Sequence, residues 1–186
     1  MPGYRVPTNL ELVERADAIV LARVDDAGPS GMAEIRKARL VPVASLKGSG
    51  LPLTIRFDDA VLSNEQMEAR ASDPRNLVDT NPDAFGGSCN RYLFDKGMLL
   101  VVFLLRDGTE MVADRSPFAR TLEDVPSADA LWVKAVKTYV EIGGLSKQKR
   151  RKEIARRRDM LSYELDDADS RLLALELARA LREARN

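Results

Sequence analysis

The stretch Met98-Leu99-Leu100-Val101-Val102-Phe103-Leu104-Leu105 is the longest apolar run in this chain of 186 residues. It has fewer than half of the roughly 20 residues that a membrane-spanning helix needs. A short apolar run that ends at a turn signal, here Asp107-Gly108, is typical of a strand buried on both faces. We therefore predict that this run is the central strand of a sheet and that residues 109–113 return beside it as a hairpin partner.

Three more strands are predicted upstream of the apolar run. Residues 18–24 form a buried strand that is closed by the turn-forming residues of segment 25–29. Residues 33–46 form a second strand, in which Pro42 requires an edge position or a bulge. Residues 53–57 alternate between polar and apolar side chains and predict a third strand.

Two capping signatures predict short helices in the same region. Thr8-Asn9-Leu10-Glu11 fits a capping box and predicts a helix over residues 8–15, while Ser63-Asn64-Glu65-Gln66 predicts a helix that ends near residue 71. Five strands with a helix between the third and the fourth predict a mainly β fold, a small closed or partly open barrel of the OB type. A flat α+β sheet is the competing architecture.

The period changes from strand to helix near Pro126, so that the predicted fold is α+β overall. Ser127 is the candidate N-cap of a first helix, which ends at Gly143-Gly144. The apolar residues of that helix recur at helical spacing: Leu131, Trp132, Ala135, Val136, Tyr139 and Val140. A second apolar stripe consists of Ile154, Leu161, Leu165, Ala168, Leu172 and Leu175, and residues 166–170 interrupt it. We predict an OB-like barrel domain over residues 8–120 and a helical extension over 127–185, packed on or beside it.

The composition excludes several classes of site. The chain has no histidine, which rules out Ser-His-Asp and Cys-His catalysis and histidine-based metal sites. Its one cysteine, Cys89, cannot form an internal disulfide or a multi-cysteine metal site. We therefore expect no catalytic residue, no bound metal and no cofactor.

Two weaker candidates for chemistry have simpler interpretations. Asp25-Asp26 and Asp58-Asp59 both follow predicted strands, where a glycosidase-like pair or a cation site is built in some proteins, but adjacent aspartates are also ordinary turn formers. Cys89 lies near Arg91, which would favour a thiolate, yet a lone cysteine is more often a small core residue. We favour the structural interpretation for both.

Short motifs in the first part of the chain resemble a known family. Residues 12–24 contain an Ala-Asp dipeptide directly before a strand, Leu46-Lys47-Gly48 forms a turn, and Cys89, Phe94 and Gly97 precede the apolar run. Over residues 8–114 this pattern resembles bacterial proteins related to the netrin-like and tissue-inhibitor-of-metalloproteinase OB-fold. The resemblance implies an OB-type barrel and an exported, periplasmic or secreted protein whose signal was removed; without such a signal the protein would be cytoplasmic. The chain lacks the amino-terminal cysteine with which those inhibitors chelate the protease zinc, so that the resemblance does not extend to inhibition.

Charge is distributed unevenly along the chain although the net charge is zero. Residues 1–125 carry 15 basic and 19 acidic side chains, whereas residues 126–186 carry 14 and 10. Most of the basic excess lies in one segment, which we call the basic segment and which contains Lys147, Lys149, Arg150, Arg151, Lys152, Arg156, Arg157 and Arg158. A run of this kind attracts anions, but it is also typical of a solvated helix face, or of one whose cations pair with Glu164, Asp166 and Asp167.

We interpret the chain as a non-enzymatic binding or protein-interaction module with a protein partner. The alternative is an OB protein that binds single-stranded nucleic acid through the basic segment. Two observations disfavour nucleic acid, since the aromatic residues do not cluster with the basic segment and the predicted barrel is net acidic.

Overall fold

The computed structural model describes residues 5–29, 36–57, 60–64, 68–85, 92–164 and 166–183. The elements, in chain order, are α1 (Asn9–Arg15), β1 (Ala18–Pro29), β2 (Arg36–Lys47), β3 (Ala60–Leu62), a 3₁₀ turn (Pro82–Phe85), β4 (Tyr92–Phe94), β5 (Leu99–Asp107), β6 (Glu110–Ala113), β7 (Leu122–Val125), α2 (Leu131–Gly143), α3 (Lys147–Ser162) and α4 (Ala168–Glu183). The fold is α+β. None of the described helices is both long and apolar enough to cross a membrane.

The strands form one curled, open half-barrel and not a flat sheet. Their order is β4-β3-β2-β1-β5-β6, and β7 also pairs with β5. The predicted central position of the apolar run is confirmed, because β5 pairs antiparallel with β1, β6 and β7. The predicted hairpin at Asp107-Gly108 is also confirmed, with Asp107 opposite Glu110.

Alternation along β1 and β5 separates two hydrophobic cores. Val20 and Val102 face the inside of the curl, where they pack with Phe94 and Leu122 in the inner core. Ile19 and Phe103 face the other way, against the helices. The outer core takes in the apolar face of α2 and reaches Ile154 of α3 and Leu177 of α4, so that it is shared by the half-barrel and the helices.

The predicted helix at residues 8–15 is confirmed in detail. The Thr8 hydroxyl accepts a hydrogen bond from the Glu11 backbone N–H, and the Glu11 carboxylate accepts one from the Thr8 backbone N–H. The interruption predicted near residues 166–170 is present as the break between α3 and α4. The predicted bulge is present too, since the register shifts between the Leu21–Ala44 and Ala22–Pro42 pairs.

The turn predicted over residues 25–29 is wrong, because β1 continues through it to Pro29. Asp25 is opposite Arg39 in β2 and forms an ion pair with it, and Asp26 pairs with Arg36. These cross-strand partners favour the extended backbone over the turn that adjacent aspartates prefer on their own.

The third predicted strand and the second predicted helix are not formed as expected. In residues 53–57 only Arg56 forms a bridge, with Val112 of β6, although Ile55 is buried in the inner core. Residues 68–71 are not helical, and residues 65–67 of the predicted helix lie outside the described part. Here the chain is held by β7 instead, since the Ser72 backbone N–H donates to Asp124.

Two details of the helical part also differ from prediction. The N-cap of α2 is Ala130, while the Ser127 hydroxyl accepts a hydrogen bond from the Asp129 backbone N–H. Ile154 is buried as predicted, but Leu175 is exposed, and α4 buries Leu173 and Leu177 instead. Leu165 lies outside the described residues.

Candidate interaction surface

The basic segment forms most of α3, and Arg150 faces inward. Its Nε and Nη2 donate to the carbonyl oxygens of Leu145 (2.8 Å) and Gly143 (2.9 Å) at the end of α2, and Nη1 pairs with Glu14 of α1. A cation that binds the last carbonyl groups of a helix interacts favourably with the negative end of the helix dipole. Arg150 therefore joins α1, α2 and α3 and is not free to bind a ligand.

Three more arginines of the basic segment are paired within the molecule. Arg157 bridges Glu141 of α2 (2.6 Å) and Glu153 (2.7 Å), and Arg156 binds Glu153 with two hydrogen bonds. The hydrogen bonds from Arg156 and then Arg157 lower the pKa of Glu153 to about 2. Arg158 pairs with its neighbour Asp159.

The carboxylates predicted to pair with the basic segment are not its partners in the described part. Glu164 and Asp167 both lie within hydrogen-bonding distance of the Ser170 hydroxyl at the start of α4, which has one hydrogen to donate to them. The prediction was wrong because the inner side of α3 faces back toward α1 and α2, where Glu14 and Glu141 lie.

The outer side of α3 carries an exposed row of side chains, which we call the α3 stripe and which lies beside the exposed Asp159, the partner of Arg158. It consists of Lys149, Lys152, Arg156, Met160 and Tyr163. Their spacings of three and four residues place them on one face of a helix and of the turn that follows it. Tyr163 is 84% exposed and Met160 is 54% exposed. Three cations and two large apolar side chains thus lie together on the solvent side.

Four cations of the basic segment are exposed and unpaired among the described residues: two lie in the α3 stripe, and two, Lys147 and Arg151, lie on another face of the helix. Lys147, Lys149, Arg151 and Lys152 are exposed and form no ion pair with a carboxylate of the described residues. The first turn of α3 contains no acidic residue, and the Ser146 side chain forms no capping hydrogen bond. Cations at the first turn oppose the helix dipole, so this arrangement costs helix stability and concentrates positive potential.

The geometry of α3 adds one aromatic residue to the exposed cations. The aromatic residues do not cluster with the basic segment in the sequence, but a single one, Tyr163, lies on the same face of α3 as the exposed cations of the stripe. The signal was present in the sequence as the interval of seven residues from Arg156 to Tyr163, which is close to two helical turns.

A buried ion pair that the sequence analysis missed organises the connection between β3 and β4. Glu123 of β7 is fully buried, and it accepts hydrogen bonds from the Thr80 hydroxyl (2.6 Å), the Asn81 backbone N–H (2.9 Å) and the Ser72 hydroxyl (2.9 Å). Arg120 lies 3.3 Å from Glu123 and stacks on Trp132. Burial raises the pKa of Glu123 and lowers the pKa of Arg120.

A second buried carboxylate, Glu176 of α4, joins four parts of the molecule. It accepts hydrogen bonds from Asn9 of α1 (2.8 Å) and from the Tyr139 hydroxyl of α2 (2.9 Å), and Arg179 binds it through two nitrogens. Asn9 also donates to the carbonyl oxygen of Leu77 (2.9 Å). Burial raises the pKa of Tyr139 well above its usual value, so this hydroxyl is a donor to the carboxylate.

A cleft of about 470 Å³ lies beside this network, between residues 73–78 and α4. Its charged side chains are three arginines and two carboxylates: Asp73, Arg75, Glu176, Arg179 and Arg182. Val78 and Leu175 also line it and remain 59% and 67% exposed. The cleft thus combines cations with apolar walls.

Of the other candidate residues, the structure describes only Asp25 and Asp26, and these two form no recognisable site. Asp25 and Asp26 are bound by arginines of β2, while Asp58, Asp59 and Cys89 lie outside the described residues. Within the described ranges no group of three or more cysteine, aspartate or glutamate side chains is placed to hold a metal ion.

Comparison with known proteins adds nothing to this geometry, since no family model, no curated protein and no solved structure matches the chain. The resemblance to netrin-like proteins therefore remains a prediction from short motifs.

Proposed function

We propose that the chain is a non-enzymatic protein-interaction module that binds an acidic segment of a partner protein along the α3 stripe. The observation that carries the proposal is the exposed row in which Lys149, Lys152 and Arg156 are followed by Met160 and Tyr163. Arg150, Arg157 and Arg158 are used within the molecule, whereas the two lysines of this row have no carboxylate partner among the described residues.

The row indicates the chemistry of the partner. Lysine and arginine in a line require carboxylates at matching intervals, and such complementarity sets specificity and association rate. Tyrosine, methionine and arginine are enriched at protein interfaces, where the apolar bodies of these side chains become buried. The partner segment is therefore acidic over one end and carries an apolar residue that meets Met160 and Tyr163.

Single-stranded nucleic acid is the second candidate ligand. Tyr163 is the specific observation in its favour, because an exposed aromatic ring on the same helix face as a row of cations can stack a base. Against it stand the paired state of Arg156 and the acidic excess of residues 1–125. The acidic protein segment remains the favoured ligand.

The proposal extends to the fold family and the compartment. We propose that the half-barrel is an open variant of the OB-fold and that the protein is exported, as its netrin-like motifs imply. Two features support the fold: β1 pairs antiparallel with both β2 and β5, and Arg56 bridges to β6 across the opening of the curl. An export signal upstream of residue 1 in the gene would support the compartment.

The binding proposal is tested with a labelled synthetic peptide rich in glutamate that contains regularly spaced leucines. We expect this peptide to bind in fluorescence anisotropy at low salt and to weaken as salt rises. Lys149→Gln with Lys152→Gln should weaken binding by about threefold to thirtyfold, as expected for the loss of two exposed ion pairs. Tyr163→Ala should also weaken it, since the apolar end of the row is lost.

The matched control is Lys37→Gln with Lys137→Gln, which removes the same charge from exposed positions outside the row. Equal weakening by the control pair would show nonspecific attraction and would overturn the proposal. Tighter binding of oligodeoxythymidine than of the peptide, lost in the Lys149/Lys152 variant, would replace it with the nucleic-acid function.

A further inference from the structure

The cleft between residues 73–78 and α4 is a second candidate site, separate from the α3 stripe. One wall is an irregular segment that contains Arg75, Leu77 and Val78, and the other is the face of α4 that carries Leu175 and Arg182. Its volume of about 470 Å³ lies within the range of known ligand sites, about 300–1,000 Å³.

Both walls are fixed by buried polar groups. The Arg120 guanidinium donates to the carbonyl oxygens of Asn76 and Asp79, at 2.6 Å each. These two hydrogen bonds fix the backbone of the irregular segment. Asn9 ties the Leu77 carbonyl to Glu176, and Glu176 in turn fixes Arg179 on α4. Walls that are already fixed lose little conformational entropy when a ligand binds, which favours affinity.

Three arginines against two carboxylates, Asp73 and Glu176, leave the lining of the cleft with a net positive charge, which favours an anion. Arg179 is bound by Glu176 and by Glu183. Arg75 and Arg182 are exposed, and neither forms an ion pair with a carboxylate of the described residues. The guanidinium group presents a planar fork of donors that matches a carboxylate. Arg75 and Arg182 belong to opposite walls, so a carboxylate in the cleft faces a cation on each side.

The apolar side chains show what accompanies that carboxylate. Val78 and Leu175 face solvent from opposite walls, and each keeps more than half of its surface exposed. A short branched side chain placed between them would cover both, whereas a long alkyl chain would extend into water from so open a cleft.

We propose that this cleft binds the free C-terminus of a partner peptide whose last residue is apolar. The α-carboxylate lies between Arg75 and Arg182, and the last side chain packs between Val78 and Leu175. The site does not depend on the α3 stripe, because it uses none of the residues of that row.

N-acetyl-leucine is the probe, because it carries an α-carboxylate and one branched side chain. Titrated into isotope-labelled protein, it should shift the methyl NMR signals of Val78 and Leu175 in a saturable manner. N-acetyl-leucinamide, which lacks the charge, and N-acetylglycine, which lacks the side chain, should each bind at least about fivefold more weakly. A glutamate derivative blocked at both ends tests whether a side-chain carboxylate serves equally well.

The variants test each part of the site. Arg75→Gln and Arg182→Gln should each weaken N-acetyl-leucine by about threefold or more, while Arg106→Gln, an exposed arginine on β5, should not change it. Leu175→Ala should weaken N-acetyl-leucine and leave N-acetylglycine unchanged. All four positions are exposed, so these variants are expected to fold, which circular dichroism checks.

Three outcomes would overturn the inference. They are the absence of saturable shifts at Val78 and Leu175, equal binding of the amide and the acid, and tighter binding of the blocked glutamate derivative than of N-acetyl-leucine. None of them bears on the α3 stripe, so this inference and the proposed function can fail separately.

Discussion

Glu123 shows how one side chain can set the course of a long irregular segment. It occupies the second position of β7, where its carboxylate is out of contact with water and receives donors from residues 72, 80 and 81. A carboxylate in that position is costly unless it is paired, and Arg120 supplies the pairing charge. The segment folds against β7 because its donors are the groups that make burial of this charge tolerable.

We predict that Glu123→Ala lowers the free energy of unfolding by about 3–5 kcal/mol, because it leaves the Arg120 charge buried and uncompensated. Chemical denaturation followed by circular dichroism measures the loss. Replacement of both charges, Arg120→Met with Glu123→Leu, should cost less than the sum of the two single changes. Additive losses would show that the two groups do not interact.

The raised pKa of Glu123 determines how this group changes the stability of the fold with pH. Because the folded state holds the proton more tightly than the unfolded state, ionisation of this group opposes folding. Its contribution is most favourable below the unfolded pKa of about 4.3 and declines as pH rises toward the higher folded value.

At the scale of elements, the inner side of α3 packs against other helices, and its outer side is exposed to solvent. Arg150 and Arg157 attach it to α1 and α2, whereas the α3 stripe faces solvent. Only Ile154 of this helix is fully buried, so electrostatic contacts carry an unusual share of its attachment. Within α3 itself, Arg156 and Arg157 both bind Glu153, and this cluster has a distinct signature in the lowered pKa of Glu153.

We predict that Glu153 titrates at about pH 2 in a carboxyl NMR experiment and that Arg156→Gln moves its midpoint upward, toward 4.5. The folded pKa is depressed, so the stabilisation by Glu153 is fully present above the unfolded pKa of about 4.3 and is lost as pH falls toward 2. Arg151→Gln is the control and should leave the midpoint unchanged. A midpoint near 4.5 in the unmodified protein would contradict the paired geometry.

Elements whose determinants are local could be predicted from the sequence. The capping box of α1 and the apolar run of β5 each contain their own signal, and both are confirmed. β7 could not be predicted, because two of its four residues are acidic and only distant donors make that strand possible. The end of β1 could not be predicted for the same reason. Its two aspartates are typical of a turn, but arginines of the neighbouring strand pair with them and favour extended backbone.

The candidate surface was predictable only in part. The basic segment is evident in the sequence, but its division into paired and free cations depends on Glu14 and Glu141, which are brought near by tertiary packing. On α4 the predicted stripe is right at Leu172, which packs against the core, and wrong at Leu175, because the apolar period was carried across the break between α3 and α4. A helical phase does not persist through such a break, and Leu175 therefore faces solvent while Leu177 is buried.

At the scale of the molecule, the half-barrel and the helices are joined by a shared core and a shared polar network. Trp132, the one tryptophan of the chain, stacks on Phe103 of the sheet, and Glu176 connects α1, α2 and α4 to the Leu77 carbonyl. Opening one part exposes a buried carboxylate or an unpaired carbonyl in another. This arrangement favours cooperative unfolding.

We predict that Trp132 fluorescence, which reports on the sheet–helix core, and far-ultraviolet circular dichroism, which reports mainly on the helices, follow one denaturation curve. Tyr139→Phe removes a buried donor to the Glu176 carboxylate and should lower the free energy of unfolding by about 1.5–3 kcal/mol in both signals equally. Tyr163→Phe removes the same hydroxyl from an exposed ring and should change stability by less than about 0.5 kcal/mol. If Tyr139→Phe separates the two curves, the helices can unfold while the half-barrel stays intact, and the network does not couple the two parts.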